Sequence, residues 1–335
     1  MGIKYLLKFL NNYDNLINEI EYDNFKGEKI AIDVSIILYQ VIIAIRSSGA
    51  DLTNQQGYIT SHILGLFNKT ISLLKKNIVP IYVFDGVPPE FKKNVIDARR
   101  DVKKKAFLKL ESATSNEERI KYFKRTVSIT PEQINDCKEL LKLMGIPYID
   151  APAEADSQCA YMVKNKIASS VITEDMDILT FGSSKIYRNL TSRNKKTLEI
   201  KLEDILNKTD LTYEQFIEFC MLLGCDYCER VKDIEPNDLY EYYYKHKNIK
   251  ETLEELKEKK LANVPLNNDY EKIKEYFTNP PYNDDNINTN LLKPDIDNLE
   301  NILVNKYGLI KSKIKGKLQY LESNYKKNWI FFYYI

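Results

Sequence analysis

Histidine is almost absent from this 335-residue sequence, with His62 and His246 the only two. Cysteine is nearly as scarce. There are five, and the C-x-x-C of Cys225 and Cys228 has neither a second pair nor a nearby histidine. A structural zinc site needs four such ligands in paired spacing, so that class is set aside, and the two thiols are expected to pack in the interior. An odd cysteine count in a long chain also argues against a disulfide framework. Charge of one sign is missing as well. The 49 basic and 48 acidic residues leave a net charge of +1, so overall charge names no nucleic-acid partner and only its distribution could. Long apolar runs are missing too: the stretch from Ile36 to Ile45 is shorter than a membrane span and contains Tyr39 and Gln40. The opening MGIKYLLKF lacks the three-part pattern of a secretory signal, and Leu6 stands where a myristoylation pattern wants Ser or Thr. A soluble, intracellular globular protein without membrane contact is expected, and 44% hydrophobic composition suits one.

What the chain does have is acid at the ends of apolar runs. Asp33 closes KIAID, Asp85 closes PIYVFD, Glu154 and Asp156 fall in IPYIDAPAEAD, Asp175 and Asp177 in SSVITEDMD, and Asp226 ends MLLGCD. In a parallel α/β sheet, positions just beyond the strands' carboxyl ends share one rim. Two carboxylates about 4 Å apart repel by roughly 4 kcal/mol at an effective dielectric near 20, so seven together call for cations. Hard divalent ions such as Mg²⁺ take oxygen ligands and suit such a rim. Any one of these acids could equally cap a helix or sit in a solvated loop. Asp175 and Asp177, two apart beyond a strand, would share a face if the chain there is extended. Glu154 and Asp156 have the same spacing but open a helix, so they converge only if its first turn is irregular.

The periodicity predicts helices over 3–10 and 13–20, a strand at KGEKIAID, helices over 36–47 and 58–76, and a second strand at IVPIYVFD. GVPP breaks the chain there. A lysine-rich helical stretch from about Phe91 to Arg125 then interrupts the rhythm, which resumes at Pro131 with helix, strand, helix and strand. KIYRNL and TLEIKL complete the sheet, and the chain is helical from Thr212. Loops fill 263–296 around a helix near YEKIKEYF. Lys92 and Arg99, seven apart, fall on one helix face at the start of the basic stretch. Arg100, Lys103, Lys104, Lys105, Lys124 and Arg125 continue it. Alone, such a run reads as a solvated helix face.

MGI, IAID, VFDG-PP, MGIPYIDAPAEAD, TEDMDILTFG and LGCDYCE, in this order across the chain, resemble the flap endonuclease family of structure-specific 5′ nucleases. The resemblance implies a PIN-like α/β core with a mixed, mostly parallel sheet, a helical cap insertion over 90–131, and a helical C-terminal DNA-binding region within one nuclease domain spanning 1–335. It implies two-metal hydrolysis of phosphodiesters with Mg²⁺, Mn²⁺ substituting, and the seven acids as metal ligands. The family usually has Glu where Asp156 stands. Lys92 and Arg99 match the basic pair that holds the scissile phosphate, Tyr39 matches an aromatic that stacks on a base or else packs in the core, and Gly2 belongs to the MGI start near the active site. The cap, with Arg100, Lys103, Lys104, Lys124 and Arg125, corresponds to an arch through which a 5′ flap passes.

The resemblance also marks departures. In the helix-hairpin-helix region, 212–260, Asp233, Ile234, Glu235 and Pro236 stand where the family's glycines approach duplex phosphates and help hold a monovalent cation. A weaker duplex grip and less dependence on potassium are expected. At the C-terminus, Lys327, Ile330, Tyr333 and Tyr334 are similar to a sliding-clamp box over 327–335, though terminal aromatics packing on the protein's own surface fit equally. The implied substrate is DNA with a 5′ flap or 5′ end, handled by a monomer at the nucleus or another site of replication, with 5′-3′ exonuclease activity. The alternatives are a related 5′ exonuclease or junction endonuclease, and a non-catalytic DNA- or clamp-binding scaffold.

Overall fold

A computed structural model describes residues 2–21, 25, 27–190, 192, 194–265, 268–285 and 287–332, with side chains to residue 325. In the clamp-like tail, Lys327 and Ile330 lie beyond the described side chains, and Tyr333 and Tyr334 lie outside the described residues. The elements run α1 (Leu6–Leu10), β1 (Asn18–Ile20), β2 (Lys29–Asp33), α2 (Val34–Arg46), α3 (Ser61–Lys75) and β3 (Val79–Phe84). A 3₁₀ turn (Glu90–Lys92) leads into α4 (Lys93–Glu111), followed by α5 (Asn116–Arg125), α6 (Pro131–Leu143), β4 (Tyr148–Asp150), α7 (Ala155–Lys164), β5 (Ser170–Ile172) and α8 (Asp177–Thr180). Next come β6 (Lys185–Arg188), β7 (Thr197–Lys201), α9 (Leu202–Thr209), α10 (Tyr213–Leu223), α11 (Pro236–His246), α12 (Ile249–Glu258), α13 (Tyr270–Thr278) and α14 (Ile296–Asn301). A π turn over Ile302–Lys306 precedes α15 (Lys311–Phe332). Among the described residues no helix is long and apolar enough to cross a membrane.

The seven strands form one sheet in the order β1-β7-β6-β5-β2-β3-β4. β6, β5, β2, β3 and β4 pair in parallel, and β7 pairs antiparallel with both β6 and β1. The central strands have apolar interiors because both faces are covered. Ala31, Ile81 and Val83 point into one core layer with α7, α8 and α10, while Ile30, Ile32, Tyr82 and Phe84 point into the other with α2, α3 and α6. The helix expected over 13–20 does not form. Its last residues are β1, Asn18–Ile20 paired with Thr197–Glu199, because the β7 edge offers a hydrogen-bond ladder that outweighs a weak helical period.

The lysine-rich stretch forms a two-helix insertion above the sheet's rim. Ser115 caps α5 by accepting from Glu118 N–H at 3.1 Å, with acids in its first turn and Lys124 and Arg125 in its last. Its base is fastened by Arg46 of α2, which reaches both Asp51 oxygens at 2.9 Å, donates to Phe123 O at 3.0 Å, and lies 4.2 Å from the Phe123 ring centre. Capping boxes start α6 (Thr130, Gln133) and α10 (Thr212, Gln215).

Candidate active site

The β2–β3 register sets Asp33 opposite Val83, so Asp85 emerges two residues later at the same end of the sheet. Asp33 caps α2, accepting from Ser35 N–H at 2.7 Å. The Ser35 hydroxyl donates to Asp85 Oδ2 at 2.7 Å, and Asp85 Oδ1 accepts from Ala155 N–H at 3.0 Å, which ties three strand ends together. Gly86 makes this closeness feasible, since a Cβ there would lie 2.2 Å from Ala151 O. Glu154 occupies the N-cap of α7 in extended conformation (φ −95°, ψ 143°) while Asp156 lies in its first turn. The irregular start that their convergence requires is therefore the cap itself. Asp175 and Asp177 are not in extended chain, as expected of them. They share a tight turn into α8, in which Asp177 N–H donates to Asp175 Oδ1 at 3.3 Å. Gly2, at φ 86°, presses against this turn, and a Cβ there would fall 1.6 Å from Asp175 Oδ1. Asp226 arrives from the loop after α10.

Burial pushes the carboxyls of Asp33, Asp156 and Asp177 well above the usual range and that of Asp175 upward. Neighbouring acids add to the rise at Asp33, Asp156 and Asp177, with Asp175 acting on all three. Asp156 Oδ1 and Asp177 Oδ1 are buried without a hydrogen-bond partner. The chain's own positive charge comes from the 3₁₀ turn and the start of α4. Lys92 hydrogen-bonds Glu154 and lies 3.7 Å from Asp226, and Arg99 of α4 donates to Asp226 Oδ2 at 2.5 Å. Burial alone would lower the Lys92 ammonium, but Glu154 and then Asp226 hold it raised. Glu154 also accepts from the hydroxyls of Tyr227 at 2.5 Å and Tyr276 at 3.1 Å. Tyr227 follows Asp226 in LGCDYCE and so lay in a motif already read, whereas Ser35, two residues past Asp33, lay just beyond IAID. Tyr276 on α13 carried no signal.

Tyr39, on α2, is 40% exposed, and Arg99, Asp85 and Asp33 all act on its hydroxyl, which places it beside the rim. Arg100, Lys103 and Lys104 lie along α4, with Arg100 paired to Asp97 at 3.3 Å and the Lys103 ammonium lowered by burial and then Arg46. Lys124 and Arg125 border a groove between α5 and Ile43. In the hairpin between α10 and α11, Asp233 itself adopts φ 64°, so the left-handed backbone that a glycine would favour is retained without one. Glu235 is drawn to Lys8 of α1 at 2.7 Å.

Among the described residues, no three acidic, histidine or cysteine side chains close into a ready-made ion cage. The donor set nevertheless fits hard divalent cations: every side-chain donor is a carboxylate oxygen, two oxygens are orphaned in the interior, and burial disfavours the charge of four acids.

A carboxylate rim at the carboxyl ends of parallel strands, faced by a lysine and an arginine at the foot of the basic helices α4 and α5, suits a phosphodiester-cleaving nuclease. The XPG N-terminal domain matches residues 1–106 and the XPG I-region residues 145–226. Flap endonuclease 1 of Nematostella vectensis is 39% identical over 329 residues, covering 96% of this chain and 87% of that protein. Flap endonuclease 1 of Aedes aegypti is 42% identical over 287 residues, covering 84% and 75%. The solved flap endonuclease-1 of Methanococcus jannaschii aligns over 98% of this chain and 100% of its own, with 32% identity and a TM-score of 0.75. The chain belongs to the flap endonuclease family, whose nucleases are metal-dependent.

Proposed function

We propose that this chain is a structure-specific 5′ flap endonuclease acting in DNA replication and repair, with 5′-3′ exonuclease activity, and that Asp33, Asp85, Glu154, Asp156, Asp175, Asp177 and Asp226 hold two Mg²⁺ ions, replaceable by Mn²⁺. When bound, such ions supply charge neutralisation and Lewis-acid polarisation of the phosphodiester. Lys92 and Arg99 bind the scissile phosphate by exchanging carboxylate partners for phosphate oxygens, and they stabilise negative charge that grows in the transition state. Lys92 lies 5.6 Å from the centre of the Tyr227 ring, while the Tyr227 and Tyr276 hydroxyls hold Glu154 in place. Tyr39 stacks on a base beside the cut, which suits any sequence. Residues 90–131 act as the cap, and Arg100, Lys103, Lys104, Lys124 and Arg125 hold the phosphates of the single strand. Gly2 keeps the amino-terminal segment close to Asp175. Residues 212–260 contact the duplex. The protein acts as a monomer at the nucleus or another site of DNA replication.

The observation that carries this reading is the pair of partnerless buried oxygens, on Asp156 and Asp177, in a rim whose Glu154 and Asp226 face Lys92 and Arg99. Matched 5′-flap, nicked duplex and four-way junction DNA, incubated with Mg²⁺, test it. Preferential flap cleavage, lost in Asp175→Ala, is expected. Equal cleavage by that variant would sink the metal mechanism, and preference for the junction or nick would favour the related enzymes. Residues 327–335 are proposed to bind a sliding clamp. Loss of clamp pull-down on their deletion is expected, and no binding by the intact chain ends that proposal.

A further inference from the structure

Cys225 and Cys228 bracket Asp226 and Tyr227, and their Sγ atoms lie 3.4 Å apart. The four residues form a closed loop in which Cys225 N–H donates to Cys228 O at 3.2 Å. Tyr227 N–H donates to Cys225 Sγ at 3.4 Å, and the Cys228 thiol donates to Met221 O at 3.3 Å. Both side chains border a groove of about 1040 Å³ that runs under α4, lined also by Lys4, Phe91, Arg99 and Glu229. All five cysteines are free and buried, but of these only Cys225 and Cys228 line this groove.

The geometry points to a redox modification site: Cys225 and Cys228 form a reversible disulfide with a peroxide oxidant, and the disulfide displaces Asp226 and Tyr227 and slows cleavage. One sulfur attacks a peroxide oxygen. The O–O bond breaks, the leaving oxygen departs as water, and a sulfenic acid remains. The second thiol attacks that sulfur, the S–O bond breaks and a second water leaves, so two thiols lose two electrons and one hydrogen peroxide becomes two waters. A disulfide needs its sulfurs about 2 Å apart, so the pair must close by roughly 1.4 Å. The loop cannot absorb this unnoticed, because Asp226 holds Arg99 and Tyr227 holds Glu154. Misplacement on that scale costs about tenfold to a hundredfold in rate. Both thiols are buried, so the reaction is slow and needs millisecond-scale or longer opening toward the groove.

The disulfide itself stands on geometry alone, whereas its effect on cleavage rests on the role proposed for Asp226. The whole chain, reduced or treated with hydrogen peroxide, is digested with a protease that cuts before Asp226, which leaves Cys225 and Cys228 on separate peptides unless they are bonded. The expected result is a cross-linked peptide pair after peroxide, flap cleavage lowered at least about tenfold, and recovery of both with dithiothreitol. Cys228→Ala should cleave like the reduced parent and resist peroxide. Oxidation elsewhere without the 225–228 link overturns the site, and so does equal peroxide sensitivity of Cys228→Ala. A link that leaves cleavage unchanged overturns the switch. Reduced protein that cleaves no flap while the link still forms overturns the nuclease reading and upholds the modification site.

Discussion

Two groups of buried carboxylates in this molecule face opposite fates. Away from the rim, Asp136 on α6 accepts from the Tyr58 hydroxyl and from Lys306 at 3.0 Å, with His62 Nε2 3.5 Å away. Burial works against its charge, but the bonds from Tyr58 and then Lys306 win and hold it below the usual carboxylate range. Burial and then Asp136 push the Tyr58 hydroxyl up to about 12, and burial keeps the His62 imidazole low and therefore neutral at pH 7. Every charge Asp136 needs comes from the chain. At the rim, Asp33, Asp156, Asp175 and Asp177 rise instead of falling, and the nearby Lys92 and Arg99 engage Glu154 and Asp226. A carboxylate supplied with its own donors serves the fold. Carboxylates buried with an oxygen left unpartnered, as at Asp156 and Asp177, mark a site for a positively charged ligand.

The contrast breaks first, and most visibly, on activity. Asp177→Ala should lower flap cleavage with Mg²⁺ by more than roughly 10³-fold while leaving the melting temperature unchanged or higher, because it removes a buried acid crowded by Asp175. A large loss of stability would show that Asp177 serves the fold after all. Lys92→Ala should cost about 10²- to 10³-fold, mainly in kcat, as loss of a preorganised positive charge, and single-turnover cleavage at saturating enzyme reads that directly.

Asp136→Ala should do the reverse. Stranding the half-exposed Lys306 and the Tyr58 hydroxyl should cost about 1–2 kcal/mol, seen in denaturant unfolding, with kcat per folded molecule unchanged. The pH dependence of stability should carry opposite signs at the two places. The raised rim acids bind more protons folded than unfolded, so they oppose stability increasingly as pH climbs from about 3.8 through their folded values. Asp136 contributes stability above 3.8 that is lost as pH falls through its lowered value. Thermal melts from pH 4 to 8 should therefore show a decline toward neutrality that Asp177→Asn reduces and added Mg²⁺ offsets. A decline indifferent to both would remove the distinction.

The smallest effect belongs to the hairpin. Asp233 already holds the left-handed turn, and the Lys8–Glu235 pair is exposed and screened by solvent, so it adds little stability. Asp233→Gly with Glu235→Gly should thus barely move the melting temperature, yet tighten duplex binding a few-fold (about 1 kcal/mol) by removing two negative charges near phosphate. Unchanged affinity in a flap titration defeats the idea of a weakened grip.

Much of this could be read from one-dimensional pattern. The apolar runs KIAID, IVPIYVFD and SSVIT become β2, β3 and β5 because parallel strands buried on both faces need such runs, and acids that end them must then share a rim. The basic stretch after Asp85 becomes α4 and α5 because its apolar positions recur at helical spacing. Residues 13–20 were illegible for a complementary reason: a three-residue edge strand takes its stability from β7, nearly 180 residues away, and leaves no period of its own. The clasp on Glu154 by Tyr276 is likewise invisible, since it joins α7 to α13 across 122 residues.

Residue types and their order along the chain settle the chemistry available here: oxygen ligands in place of nitrogen or sulfur, two cations at the root of a basic insertion, and no compartment of soft metal ligands. Which of the acids are left without donors is a matter of tertiary structure. Asp136 and Asp177 look alike in sequence, each a buried acid on a helix, but packing brings Tyr58 and Lys306 to one and Asp175 to the other. The same packing sets two thiols three residues apart in sequence at 3.4 Å beside Asp226. Charge and reactivity in an interior depend on distance and desolvation, and both exist only once the chain has closed on itself.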